Sequence, residues 1–164
     1  MSINYEIERK FLIKMPNIKL MNENNECKVV NIKQTYLKDK TRIRSCETNG
    51  NTVYIKTIKH KVSDITRIEN ENEITKEEYL ELLLLADNER QTITKTRYKY
   101  PYMGKVFEID IFPFWSDRAF LEIELKSEDE DFTIPTFIEV IKEVTHLKEY
   151  RNFALAKEIP NEKI

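Results

Sequence analysis

Glycine is scarce in this chain: only Gly50 and Gly104 occur among 164 residues. Two isolated glycines cannot supply a G-x-G-x-x-G fingerprint or a Walker A loop. Rossmann and P-loop nucleotide enzymes are therefore excluded. Histidine is equally rare, and His60 and His146 lie far apart, so no paired-histidine zinc motif can be written. Both read as surface or loop residues. Cys27 and Cys46 form no C-x-x-C pair. One disulfide is conceivable, but with no secretory leader a reduced, cytoplasmic setting with two free thiols is expected. No apolar run approaches the roughly 20 residues that cross a bilayer, and the charged start MSINYEIERK does not read as a signal peptide. A net charge of −2 excludes a strongly basic nucleic-acid binder by bulk charge. Neither nucleic acid nor membrane is expected as a partner. No Pro/Gly/Ser-rich linker and no repeat divides the sequence, so one domain over 1–164 is expected, as a monomer or homodimer.

What is present is mostly strand-like. Alternating runs cover 5–13, 28–37, 41–45, 52–58, 66–74, 92–100, 105–112 and 120–125. Asn49-Gly50 between two of them is a strong hairpin signal, and Met103-Gly104 a weaker one. About eight strands with short connections predict an α+β chain, mainly β, whose antiparallel sheet is large enough to close into a barrel. Two or three helices flank it. Thr75 to Glu78 is a capping box opening an apolar stretch. Phe137, Ile138, Ile141 and Val144 recur with a helical period, which predicts a helix over 135–145. A short closing helix is predicted over 150–157. The acidic run 128–131 reads as a solvated loop. Trp115, Phe112 and Phe114 read as packing at the barrel mouth.

Charge recurs at every second position, and side chains two apart on a strand share a face. Glu6, Glu8 and Lys10 form one row. Arg42 and Arg44 form another, and Arg67, Glu69, Glu71 and Glu73 a third. Lys95 with Arg97, Glu108 with Asp110, and Glu122 with Glu124 complete the series, while Lys59 follows Ile55 and Thr57. Any single row fits a solvated strand face. Taken together they do not, because several rows carry one sign and like neighbours repel. The opposite faces, such as Ile109 and Ile111 or Leu121, Ile123 and Leu125, are apolar. If those faces pack outward, the charged faces line the interior. Burying so many charges unpaired would cost several kcal/mol each. A wet tunnel that binds a highly charged ligand avoids that cost. A polyphosphate would answer the bases, and divalent cations would answer the acids.

The residues that carry these rows resemble a known family. EIERKFL at 6–12 is similar to the E-x-E-x-K signature of the CYTH superfamily, the triphosphate tunnel metalloenzymes. Later segments resemble its strands in order. They are QTYL at 34–37, RIR at 42–44, TIK at 57–59, TRIENE at 66–71, KTRY at 95–98, EIDIF at 108–112 and EIEL at 122–125. Residues 143–145 and 150–156 resemble the C-terminal helix region. Some positions depart from the family. His60 follows the tunnel lysine where glycine is common, and one extra residue near Lys56 leaves both Lys56 and Lys59 as candidates for the inward lysine. The step from Lys59 to Arg67 favours Lys59. Phe153 and Ala154 replace polar residues near the last helix.

The resemblance implies an eight-stranded antiparallel barrel forming a tunnel for triphosphates with Mg²⁺ or Mn²⁺, most like the small bacterial inorganic tripolyphosphatases. Lys10, Arg42, Arg44, Lys59, Lys95 and Arg97 would neutralise phosphate oxygens. Glu6, Glu8, Glu69, Glu71, Asp110, Glu122 and Glu124 would offer hard oxygen ligands to metal. Glu69, Glu71 and Lys95 are the candidate catalytic residues, one of the glutamates orienting the attacking water. Phosphoryl transfer needs mainly positioning and charge stabilisation, so no Ser, His or Cys nucleophile is required. Nucleotide-directed relatives (class IV adenylate cyclase, thiamine triphosphatase, nucleoside triphosphatase) and a non-catalytic polyphosphate-binding module are the alternatives.

Overall fold

The computed structural model describes residues 4–164; residues 1–3 of the charged start and of the expected 1–164 domain lie outside that range. Its strands are β1 (Asn4–Lys14), β2 (Lys28–Tyr36), β3 (Arg42–Thr48), β4 (Asn51–Lys61), β5 (Thr66–Ile74), β6 (Ile93–Tyr102), β7 (Lys105–Ile111), β8 (Arg118–Leu125) and the short β9 (Val140–Glu143). They pair antiparallel in the order β5-β4-β3-β2-β6-β7-β8-β1-β9, and β5 also pairs with β1. That last ladder closes β1 to β8 into a barrel, with no edge left between β5 and β1. The β3–β4 hairpin turns at Asn49 and Gly50 with φ of 51° and 82°, and the β6–β7 hairpin at Met103 and Gly104 with 48° and 76°. Two consecutive left-handed residues match the twist of the flanking strands, as the Asn-Gly pair predicts.

Among the described residues, three helices flank the barrel. α2 (Lys76–Leu83) begins with the predicted capping box: Thr75 accepts from the Glu78 N–H, and Glu78 accepts from the Thr75 N–H. α3 (Asn152–Leu155) follows a 3-10 turn at Lys148–Tyr150, within the predicted closing segment. α1 (Ile18–Glu23), capped by Asn17, has no counterpart in the sequence reading; six residues are too few for a period to show.

The helix predicted over 135–145 does not form. Val140–Glu143 is instead a strand on β1. Its apolar residues go to two different places. Ile138 packs in the core outside the barrel beside Phe11, Ile109 and Leu121, while Val144 packs with Leu12, Phe120 and Tyr150. Spacing alone cannot tell one helical stripe from a chain that crosses between two cores. The run 128–131 is also not merely solvated: Glu128 accepts from Ser63 and Thr66, and Glu130 pairs with Lys105.

Alternation decides what faces inward. On β7 and β8 the outward Phe107, Ile109, Leu121 and Ile123 are buried against Met21 of α1 and the 132–138 segment. The inward positions of the same strands are Glu108, Asp110 and Glu122. Farther along each strand the inward face turns apolar, at Leu12, Tyr36, Ile93, Phe112 and Phe120. Tyr150, Leu155 and Ala156 close over these side chains. Phe112, Phe114, Trp115 and Phe120 form edge and stacked ring contacts there. One end of the barrel interior is therefore a packed plug, and the charged rows occupy the rest.

Candidate active site

The inward charges sort into three groups. The first lies deepest. Asp110 is fully buried and accepts from Lys95 Nζ at 2.7 Å and from Arg97 Nε and Nη2 at 2.7 and 2.8 Å. Burial alone would raise this carboxyl, but Arg97 and Lys95 hold it well below the usual carboxylate range. Burial likewise lowers Lys95, which Asp110 only partly restores, to about 8. Both oxygens of Asp110 are thus engaged by its own bases.

The second group is acidic. Carboxylate oxygens of Glu8, Glu108 and Glu122 lie within 4.8 Å of one another. β1, β7 and β8 bring them together, with Glu108 directly opposite Glu122 and Glu8 opposite Glu124. Burial, then Glu122 and Glu6, raise the Glu8 carboxyl well above its ordinary value. Glu122 is pushed up by burial but held down overall by Lys10, whose Nζ lies 3.3 Å away. Glu124 stays exposed at the rim, raised by burial and by Glu6 and Glu108.

The third group faces the other two from β3, β4 and β5. Lys59 donates to Glu6 at 2.7 Å and lies 3.8 Å from Glu69. Arg42 approaches Glu69 at 3.5 Å and Thr57 at 3.4 Å. Arg44 donates to Glu71 at 2.8 Å, and Thr57 also donates to Glu71. Burial would raise Glu71, but Arg44 draws it below its ordinary value. Glu69 goes the other way. Burial raises it to about 7, because its ion pairs are long and Lys59 is closer to Glu6. Lys56 sits opposite Ile43 and Asn72, one step off the charged face, so Lys59 is the inward lysine. Glu73 is exposed at the end of β5 and joins none of these groups.

A cavity of about 270 Å³ opens onto Glu6, Glu8, Lys10, Arg42, Lys59 and Glu122. It falls just below the usual range of ligand pockets, about 300–1,000 Å³. Arg44, Lys95, Arg97 and Asp110 are not on its wall, and neither are Glu69, Glu71, Glu108 and Glu124. Tyr36, Thr145, Arg67 and Arg151 are. Arg151 went unnoticed in the sequence because it stands in a turn, outside any alternating row. Glu108 was visible in a row, but the E-x-D pattern did not tell which of its acids meets Glu8. His60 and His146 are both exposed, with His146 Nδ1 lying 3.5 Å from Asp64. Cys27 and Cys46 are free. No described helix is long and apolar enough to cross a membrane.

Residues 4–153 match the CYTH domain family. The chain is 35% identical over 166 residues to a Nitrosomonas europaea protein named inorganic triphosphatase, covering 94% of this chain and 99% of that one. It is 34% identical over 157 residues to an inorganic triphosphatase of Acetivibrio thermocellus, covering 93% of each. A crystal structure described as an inorganic triphosphatase superposes with a TM-score of 0.59 at 30% identity, covering 95% of this chain and 97% of that one.

Proposed function

Because the chain belongs to the CYTH domain family, we propose that it hydrolyses a phosphoanhydride bond of inorganic triphosphate with the help of Mg²⁺ or Mn²⁺. The observation that carries this reading is the convergence of the inward rows on one small cavity, with bases and carboxylates sharing its wall.

The acids fit a divalent ion. Glu8, Glu108 and Glu122 offer hard oxygens from three strands, and burial, followed by the charge of Glu122, raises Glu8, which a cation would relieve. These three are our assignment for the ion, with Glu6 and Glu124 beside them. An ion held there would neutralise phosphate oxygens and polarise the reacting phosphorus. Asp110 takes a different role, as the anchor that fixes Lys95 and Arg97.

Lys10, Arg42 and Lys59 would grip the phosphate chain, Arg42 with a guanidinium fork suited to paired oxygens. Its Nε is buried without a hydrogen-bond partner. Arg44, Lys95 and Arg97 add positive potential from behind the wall. Glu69, just behind Arg42 and Lys59 and held near 7, is the carboxylate we assign to accept a proton at neutral pH, whereas Glu71 is already bound to Arg44. The water oxygen attacks a terminal phosphorus and its proton passes to Glu69. The bond from that phosphorus to the bridging oxygen breaks, releasing phosphate and diphosphate.

The test is phosphate release from tripolyphosphate, ATP and thiamine triphosphate with Mg²⁺, Mn²⁺ or EDTA. Fast release from tripolyphosphate, abolished by EDTA, is the expected result. A preference for ATP or thiamine triphosphate would point to a nucleotide-directed relative. Tripolyphosphate that raises the melting temperature without release would make the protein a binding module.

A further inference from the structure

β1 shares one edge between two partners, and the split leaves a notch. β5 pairs with residues 4–7 and β9 with residues 11–13. Between them the Glu8 N–H donates to the Ile65 carbonyl at 3.0 Å and the Lys10 N–H to Thr145 Oγ1 at 2.9 Å. Arg67 of β5 and Arg151 of the C-terminal turn both line the cavity beside this notch.

The two guanidinium groups differ from three of the other bases of the cavity, though exposed Lys40 on the same wall likewise forms no ion pair among the described residues. Lys10, Arg42 and Lys59 each have a carboxylate partner. Among the described residues, no ion pair is formed by Arg67 or Arg151. Arg67 Nη1 donates to the carbonyls of Ser63 at 2.6 Å and Thr66 at 3.2 Å. Arg151 Nε and Nη2 are buried with no hydrogen-bond partner, and so is the side-chain oxygen of neighbouring Asn152. Burial, and after it the charge of Arg151, hold Arg67 below the usual arginine range. Two like charges, one with orphaned buried donors, are costly to hold together unless an anion lies between them.

We propose that Arg67 and Arg151 form an anion subsite that takes one terminal phosphate of a linear triphosphate, which makes Arg151 a specificity-determining residue. The proposal rests on the triphosphate reading of the cavity. Arg151 binds through a planar fork, which matches two phosphate oxygens at once. Asn152 can turn its amide to donate to the same group.

Arg151→Gln tests this. KM for tripolyphosphate is expected to rise about tenfold with kcat changed less than about threefold, as for one lost charge-assisted contact. Arg151→Lys should recover part of the loss, because it restores the charge without the fork. The rise in melting temperature caused by tripolyphosphate should shrink in Arg151→Gln, while the ligand-free melting temperature holds or increases. If Arg151→Gln fails to fold, Arg67→Gln and Arg151→Lys carry the same comparison. Unchanged KM and unchanged ligand shift would overturn the subsite and leave the hydrolase reading intact. If the parent protein shows no turnover, that reading fails. Metal-free thermal shift with tripolyphosphate, parent against Arg151→Gln, then decides the subsite alone.

Discussion

Three carboxylates within 4.8 Å of one another repel when no cation lies between them. Glu8 is raised by burial and then by Glu122, and removing its charge should separate activity from stability. Glu8→Gln is expected to lower metal-dependent phosphate release on the order of 100-fold or more. The same variant should melt higher than the parent in EDTA, since a neutral amide ends the crowding. Phosphate assays and thermal melts of one preparation check both halves. Glu69 gives a pH prediction. Its folded value, about 7, lies above the ordinary 4.5. Between those values the folded state holds a proton that the unfolded chain has released, so this group makes stability fall as pH rises. Glu69→Gln mimics the protonated form. Its melting temperature relative to the parent should therefore be higher at pH 8 than at pH 5. A difference that runs the other way would show that Lys59 and Arg42 outweigh burial.

Among the elements, the hairpins and α2 follow from local chemistry, and each should yield to a local change. Thr75→Ala removes the capping box and should cost about 1 kcal/mol in denaturant unfolding, with kcat unaltered because α2 contributes nothing to the cavity wall. Gly50 has φ of +82°, so Gly50→Ala should cost about 1–2 kcal/mol although open space surrounds the position. The strands were legible because one face is apolar and the other charged, a pattern of period two. α1 was too short to show, and 135–145 misled because Ile138 and Val144 serve different cores at a spacing that mimics a helix.

At the scale of the whole molecule, the barrel must bury charge to build its interior, and the Lys95–Asp110–Arg97 cluster shows how. Asp110→Asn leaves two buried bases without their shared anion and should cost about 3–5 kcal/mol in urea unfolding. Lys95→Met should cost less, because Arg97 still holds Asp110 through two bonds. The sequence by itself determined which side chains point inward, because alternation along a strand fixes the face of every residue once the outer face is known to be apolar. It could not tell how far along the barrel axis each row sits, since that depends on the register between strands distant in the chain. Register sent Asp110 to Lys95 and Arg97 and brought Glu108 to Glu8 and Glu122, while the turn before α3 set Arg151 on the same cavity wall as Arg67.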